Sequence, residues 1–433
     1  MIVDFRRSLP VTPVSAVRGT LAVPGDKSIS HRYVMLAAAA AGTTSLANLA
    51  PGADVASTLA CVAALGAGVD RHGANACAIA GCGTGGFIQP AAPLDAGNSG
   101  TTLRLLSGLV ASRPIQTSIS GDESLRRRPM QRVIDPLVAM GARIGSANGR
   151  APLVIDGGLL QAIDWRVPVA SAQVKSAILL AGLGARGTTV VREPLATRDH
   201  TERAFPAFGL RVRTDGTVVS VDGGQTPIAP QRPLTVPGDP SSAAVWAAAA
   251  AALPDSRVRI EGVSLNPHRL GFLRALERMG AGISVDATGE TAGEPVGVLE
   301  IVHQDHRPAV IAPEEVPGLI DELPVLAARA ALGGALEVSG ASELRVKESD
   351  RITALVTGLR AMGVAADERA DGFVVDGHVR PTGGQADAAG DHRLVMAFAL
   401  VALGASGPSV IDGAGAVGVS YPAFEQDLAR LVR

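Results

Sequence analysis

Val23-Pro24-Gly25-Asp26 opens the stretch Val23-Pro24-Gly25-Asp26-Lys27-Ser28-Ile29-Ser30-His31-Arg32, and the same tetrapeptide returns as Val236-Pro237-Gly238-Asp239. Each copy leads into a serine-bearing segment and then an alanine-rich helix. Proline followed by glycine marks a turn of the chain. Two readings fit: hinge strands where the chain crosses between two domains, or two ordinary strand-to-helix turns.

Outward from these copies the chain repeats itself weakly. A strand-like run leads to a polar loop, then to a helix that ends in an apolar residue plus glycine. The helix ends read Leu65-Gly66, Met140-Gly141, Phe208-Gly209, Met279-Gly280 and Met362-Gly363, and a final helix starts near Pro422. Glycine just past a helix is the usual left-handed cap. Strands begin near Thr44, Thr117, Thr188, Arg257, Ala335 and Ser409, a spacing of roughly 70 to 80 residues, which predicts six small α/β units. The expected fold class is α/β.

Composition narrows the function. Of 433 residues, 47% are hydrophobic and 18% charged, enough for large cores. A net charge of -2 gives no global field for nucleic acid or a membrane surface, so an anion site must be built locally. Three cysteines, Cys61, Cys77 and Cys82, are not spaced as zinc ligands and fit a reduced, cytoplasmic chain. The start, MIVDFRRSLP, lacks the apolar core of a signal peptide, and the alanine runs at 37–41 and 247–252 are too short to span a bilayer. Of 39 basic residues only Lys27, Lys175 and Lys347 are lysine, which is either genome bias or a sign that a compact ammonium is needed there.

Eight polar segments stand at or near predicted helix starts. Gly25–Arg32 puts lysine and serine where free N–H groups and the helix dipole favour an anion, with Arg32 at i+4 from Ser28. A Walker A loop fails because Asp26 stands where glycine is required. Gly97-Asn98-Ser99-Gly100-Thr101-Thr102-Leu103-Arg104 opens a helix and lets a ligand approach Gly100. Arg126-Arg127-Arg128-Pro129 is a site or a solvated face. Ala170-Ser171-Ala172-Gln173-Val174-Lys175 offers an N-cap and polar groups, as does Thr197-Arg198-Asp199-His200-Thr201-Glu202. Asp321-Glu322 is catalytic or ordinary capping. Arg345-Val346-Lys347-Glu348-Ser349-Asp350-Arg351 and Asp391-His392-Arg393 complete the set.

Taken together, the strings GDKSISHR, GNSGTT, RRRP, ASAQVKSA, EPLATRDHTE, IDELP, LRVKESDR and DHR resemble the enolpyruvyl transferase family, in its branch acting on shikimate 3-phosphate. They run from residue 25 to about 393. The resemblance implies a two-domain fold with three α/β units per domain, residues 24–238 forming one domain and residues 1–23 with 239–433 the other. It implies transfer of the enolpyruvyl group of phosphoenolpyruvate to the 5-hydroxyl of shikimate 3-phosphate, in the pathway to chorismate and the aromatic amino acids, by a monomer without metal or organic cofactor.

Residue by residue, the resemblance implies Lys27, Ser28, Arg32, Ser171, Ala172, Gln173 and Arg198 for shikimate 3-phosphate, with Thr197 a weaker candidate and Asp321 and Lys347 at the ring hydroxyls. For phosphoenolpyruvate it implies Lys27, Gly100, Arg128, Gln173, Arg351 and Arg393, with Asn98 and Thr101 shaping the wall. Glu348 is the expected acid at the methylene carbon. Asp321, helped by Lys27, is the expected base at the hydroxyl, and domain closure is the expected device for bringing the reactants together. Gly100 implies that glyphosate enters the phosphoenolpyruvate pocket.

One departure is visible. Where some members carry a lysine near the C-terminus, this chain reads Val419-Ser420-Tyr421-Pro422, which touches the expected phosphoenolpyruvate contacts more than the reaction. Three rivals remain. A sister transferase acting on a UDP-aminosugar carries a cysteine in the loop matching 121–130, absent here. A nucleotide-binding protein is suggested by Gly81-Cys82-Gly83-Thr84-Gly85-Gly86, which no lysine follows and which reads better as a hairpin or turn. A non-catalytic repeat scaffold is the third.

Overall fold

The chain changes folded unit at Pro24–Gly25 and again at Val236–Pro237, inside the two Val-Pro-Gly-Asp copies. The structure is a computed structural model that describes residues 6–83 and 86–432. The first unit comprises Gly25–Val236 and the short segment Glu290–Glu294; the second comprises the chain up to Pro24, Pro237–Gly289 and Pro295 onward. Gly25 is required at its crossing, because a Cβ there would lie 1.7 Å from the carbonyl oxygen of Asn48. Thr84 and Gly85, in the glycine run read as a hairpin or turn, lie outside the described residues, as do the first five residues of the N-terminal stretch.

Among the described residues each unit holds three mixed sheets that share a parallel pair extended by an antiparallel strand, with a fourth strand in all but the sheet of Leu9–Val11, Ser409–Asp412 and Gln385–Asp387. In the first unit, Leu94–Asp95 pairs parallel to Gln116–Ser120, which pairs antiparallel to Leu153–Asp156, which pairs antiparallel to Arg143–Ser146. Asp164–Arg166, Thr188–Arg192, Val218–Asp222 and Val212–Asp215 repeat it. So do Leu234–Thr235, Ala41–Ala47, Cys77–Cys82 and Gly68–Arg71. In the second unit the pattern returns in Ala309–Ile311, Ala335–Val338, Gly372–Asp376 and Ala365–Arg369. There Arg18–Ala22 runs parallel to Arg257–Ser264, and Gln385–Asp387 runs parallel to Ser409–Asp412.

In four of these sheets a helix joins the parallel pair, as a parallel connection requires. The other two exchange partners. Arg18–Ala22 precedes the helix Lys27–Ala39 but pairs with Arg257–Ser264, while Leu234–Thr235 precedes Pro240–Ala252 but pairs with Ala41–Ala47. The repeated tetrapeptide therefore sits where one unit's strand hands over to the other unit's helix.

Three helices form the centre of each unit: Lys27–Ala39, Gly100–Ala111 and Ala172–Gly182 in the first, and Pro240–Ala252, Leu323–Ala331 and His392–Gly404 in the second. Beyond the polar residues of their N-terminal turns these helices are largely apolar on every side, so they are buried all round rather than along one stripe. Every residue of Pro240–Ala252 and of His392–Gly404 is buried. The remaining longer helices, such as Ala53–Ala64 and Arg351–Ala361, are buried along one face only and lie outside this centre. Among the described residues no helix is long and apolar enough to cross a membrane. The fold is α/β, as expected.

Candidate active site

Five of the polar segments fall at the N-termini of buried helices; Thr197–Glu202 and Arg345–Arg351 open the outer helices His200–Ala207 and Arg351–Ala361, and Arg126–Pro129 ends the short helix Glu123–Arg127. A helix start leaves N–H groups unsatisfied and carries partial positive charge, and in the first unit each buried helix's start is capped by its own side chain. Asp26 accepts from Ile29 N at 2.9 Å, Ser99 from Thr102 N at 3.0 Å and Ser171 from Val174 N at 3.4 Å.

In the first unit, Lys27 Nζ lies 2.9 Å from Asp54 Oδ2, with the lysine side chain 15% exposed and so open to a ligand. Arg32 is buried. Its Nε donates to Thr201 Oγ1 at 2.7 Å, its Nη1 to the Ser28 carbonyl at 2.8 Å and its Nη2 to Ser176 Oγ at 2.7 Å. All three acceptors are neutral, and burial pulls this guanidinium down to about 10, against the opposing pull of Glu202. Gln173 donates to Thr101 Oγ1 at 2.9 Å and accepts from Arg104 Nη1 at 2.7 Å. Of the arginine run only Arg128 is buried; it donates to Asn98 Oδ1 at 2.5 Å and to Ser124 Oγ at 3.2 Å, while Arg126 and Arg127 are the solvated face. A Cβ on Gly100 would meet Arg104 Nη1 at 2.7 Å and Arg128 Nη1 at 3.5 Å.

Beneath these groups His31 Nδ1 lies 2.6 Å from Thr58 Oγ1, which contacts Thr102 Oγ1 at 2.7 Å, which in turn donates to Ser99 Oγ at 2.7 Å. Burial, with Lys27 and Arg32 adding to it, holds His31 well below the ordinary imidazole range, so the ring is neutral. Thr197 is buried, with its hydroxyl donating to Glu193; Arg198, Ser171 and Ala172 are half-buried.

In the second unit, Asp321 and Glu322 do not cap the helix Leu323–Ala331, which has no side-chain cap. The ordinary capping reading of this pair therefore fails. The Asp321 carboxylate instead lies 3.4 Å from Arg351 Nη1, 3.7 Å from Arg393 Nη2 and 3.8 Å from Lys347 Nζ. Glu322 accepts from Ser241 Oγ. Arg351 is fully buried. Its Nε donates to Asp391 Oδ2 at 2.7 Å and its Nη2 to Glu348 Oε2 at 2.5 Å. Burial disfavours its charge, but Asp391, Glu348 and Asp321 outweigh that and raise its pKa. Arg393 Nη1 donates to the Asp321 carbonyl at 3.0 Å. Arg345 is a strut, donating to Asp350 and Glu368, each at 2.9 Å.

Each unit thus carries its expected residues at the mouths of its buried helices and on the loops and outer helix starts that follow them in sequence. Sequence reasoning misses Asp54, which holds Lys27, and Arg104, which holds Gln173. Arg104 has a findable signal: it sits at i+4 from Gly100, as Arg32 does from Ser28. Asp391 stands in a motif but takes its role only from the fold, as the partner of Arg351. The Val419 stretch is packed rather than open: Val419 is buried, and the Tyr421 hydroxyl accepts from Trp246 Nε1 at 3.0 Å and donates to Asp427 Oδ2 at 2.6 Å. Among the described residues no group of three or more His, Cys, Asp and Glu is placed to hold a metal.

Comparison with known proteins identifies the family and the fold. A family model described as EPSP synthase (3-phosphoshikimate 1-carboxyvinyltransferase) matches residues 11–428. The chain is 46% identical to a 3-phosphoshikimate 1-carboxyvinyltransferase of Shouchella clausii, covering 96% of this chain and 97% of that one. It is also 46% identical to the protein of the same name from Gloeobacter violaceus, covering 98% and 99%. The structure of EPSP synthase from Acinetobacter baumannii superposes with a TM-score of 0.87 at 38% identity, covering 98% of each chain. The enolpyruvyl transferase NikO from Streptomyces tendae, at 20% identity and a TM-score of 0.78, shares the fold.

Proposed function

This chain belongs to the EPSP synthase family, and we propose that its two sets of helix-mouth residues carry the transfer of the enolpyruvyl group from phosphoenolpyruvate to the 5-hydroxyl of shikimate 3-phosphate. The reaction is an addition followed by an elimination. The hydroxyl oxygen bonds to C2 of the enol while the methylene carbon takes a proton; the C2–phosphate bond then breaks, a proton leaves the methyl carbon, and inorganic phosphate departs.

In this reading Lys27, Ser28, Arg32, Ser171, Ala172, Gln173, Thr197 and Arg198 bind shikimate 3-phosphate, and Lys27, Gly100, Arg128, Gln173, Arg351 and Arg393 bind phosphoenolpyruvate. Asp321 and Lys347 meet the ring hydroxyls. Charge-assisted bonds of this kind contribute roughly 1.5–3 kcal/mol each. Glu348 delivers the proton to the methylene carbon. Asp321 takes the hydroxyl proton, with Lys27 sharing that step. Such proton transfers are worth roughly 10²–10⁴-fold, and holding two reactants in attack geometry roughly 7–11 kcal/mol.

The observation that carries the reading is Arg32: a buried guanidinium whose direct partners are all neutral oxygens presents positive charge to an anionic ligand. Phosphate release tests it, with phosphoenolpyruvate plus either shikimate 3-phosphate or UDP-N-acetylglucosamine. Release with the shikimate ester alone is expected; release only with the UDP-sugar overturns the substrate. We further propose a cytoplasmic monomer. In support of a reducing compartment, Cys61, Cys77 and Cys82 are all free, and burial pushes the Cys61 thiol up to about 12 and the Cys77 thiol up to about 11.

A further inference from the structure

Lys175 is one of only three lysines in the chain, and the proposed reaction gives it no part. Its side chain is 2% exposed, in the first turn of the buried helix Ala172–Gly182. The ammonium lies 2.7 Å from Glu193 Oε2 and 2.7 Å from Glu202 Oε1. Burial works against its charge, but Glu202 and Glu193 outweigh that and raise its pKa.

What the two carboxylates hold is informative. Glu193 follows the strand Thr188–Arg192 and accepts from the Thr197 hydroxyl, so it fixes the loop that presents Thr197 and Arg198. Glu202 lies in the helix His200–Ala207, next to Thr201. The Thr201 hydroxyl accepts from Arg32 Nε and contacts Ser176 Oγ at 2.7 Å. One ammonium therefore ties together three segments: the helix bearing Ala172 and Gln173, the loop bearing Arg198, and the helix whose hydroxyl aims Arg32. It also engages Glu202, the largest nearby negative influence on Arg32.

We propose that Lys175 is a positioning residue for the phosphate end of shikimate 3-phosphate, acting through Glu193 and Glu202 on Arg198 and Arg32 without touching the substrate. The compact ammonium suits a point between two carboxylates, where a planar guanidinium fork does not. The inference rests on the reaction proposed above.

The test uses the full-length protein and steady-state phosphate release, read as separate KM values for the two substrates. Turnover by the unaltered protein comes first; if it fails, the proposed reaction fails, and the role of Lys175 with it. If it succeeds, two variants decide the role of Lys175. Lys175→Met strands two buried carboxylates. The triple variant Lys175→Met/Glu193→Gln/Glu202→Gln removes that charge and recovers thermal stability. For both variants the KM for shikimate 3-phosphate rises about tenfold or more, while the KM for phosphoenolpyruvate stays within about threefold. A thermally recovered triple variant with an unchanged KM for shikimate 3-phosphate, or an equal rise in both KM values, reduces Lys175 to a structural ion pair and overturns the inference. If neither of these folds, Glu193→Gln decides, since it keeps Lys175 paired with Glu202: a rise of about threefold for shikimate 3-phosphate alone supports the role, and no change overturns it.

Discussion

Arg351 and Asp391 form an ion pair with both side chains out of reach of solvent: Nε stands 2.7 Å from Oδ2, at 1% and 0% exposure. Asp391 also caps its own helix through Arg393 N at 2.9 Å. The pair thus joins the Lys347–Arg351 segment to the helix that carries Arg393. Arg351→Met leaves a buried carboxylate without its cation, which costs about 3–5 kcal/mol. Calorimetry should show a large fall in Tm together with loss of turnover. An unchanged Tm would mean that the pair does not hold these two segments together.

Glu348 and Asp321 are assigned to the two proton transfers, so conservative amides at these positions should damage chemistry more than binding. Glu348→Gln and Asp321→Asn are each expected to lower kcat by roughly 10²–10⁴-fold with KM values changed only severalfold. Steady-state kinetics checks this. A variant whose kcat holds while KM rises would reassign that carboxylate to binding.

Gly100 leaves room that a methyl group would take from Arg104 and Arg128. Gly100→Ala is expected to raise the KM for phosphoenolpyruvate by about tenfold and leave that for shikimate 3-phosphate nearly unchanged. Glyphosate is expected to inhibit the unaltered protein and to inhibit Gly100→Ala less. Inhibition titrations on both proteins read the difference.

Much of this architecture is legible in the amino-acid order. Caps such as Asp26, Ser99 and Ser171, and glycines such as Gly141 and Gly280, mark where helices start and stop, because those signals are local. The strand exchange at the two crossings is not legible, since Arg18–Ala22 pairs with a strand some half a chain away and sequence carries no sign of register. Nor does spacing separate Arg128 from Arg126 and Arg127: burial distinguishes them, and burial is tertiary. Nothing marks Glu290–Glu294 as part of the first unit, where His200 Nδ1 meets Glu294 Oε1 at 2.6 Å and Arg203 Nη1 donates to the Gly293 carbonyl at 2.7 Å.

Two histidines predict how stability responds to acid. Burial holds His31 well below the ordinary imidazole value of 6.5, and burial with Arg329 brings His306 to about 4. Both folded values are depressed, so below about 6.5 the unfolded chain binds protons that the folded chain does not. Their contribution is complete above pH 6.5 and is lost as pH falls; for His306 the loss runs from 6.5 to about 4. Urea denaturation at pH 7.5 and pH 5 should show the lower midpoint at pH 5, and His306→Asn should flatten part of that slope.

The most direct test of the reaction is to run it in deuterium oxide with phosphoenolpyruvate and shikimate 3-phosphate and read the vinyl methylene of the product by proton NMR. Addition followed by elimination passes through a methyl group, so the product should carry deuterium on that carbon. A product whose methylene stays fully protonated, or no enolpyruvyl ether at all, would contradict the account.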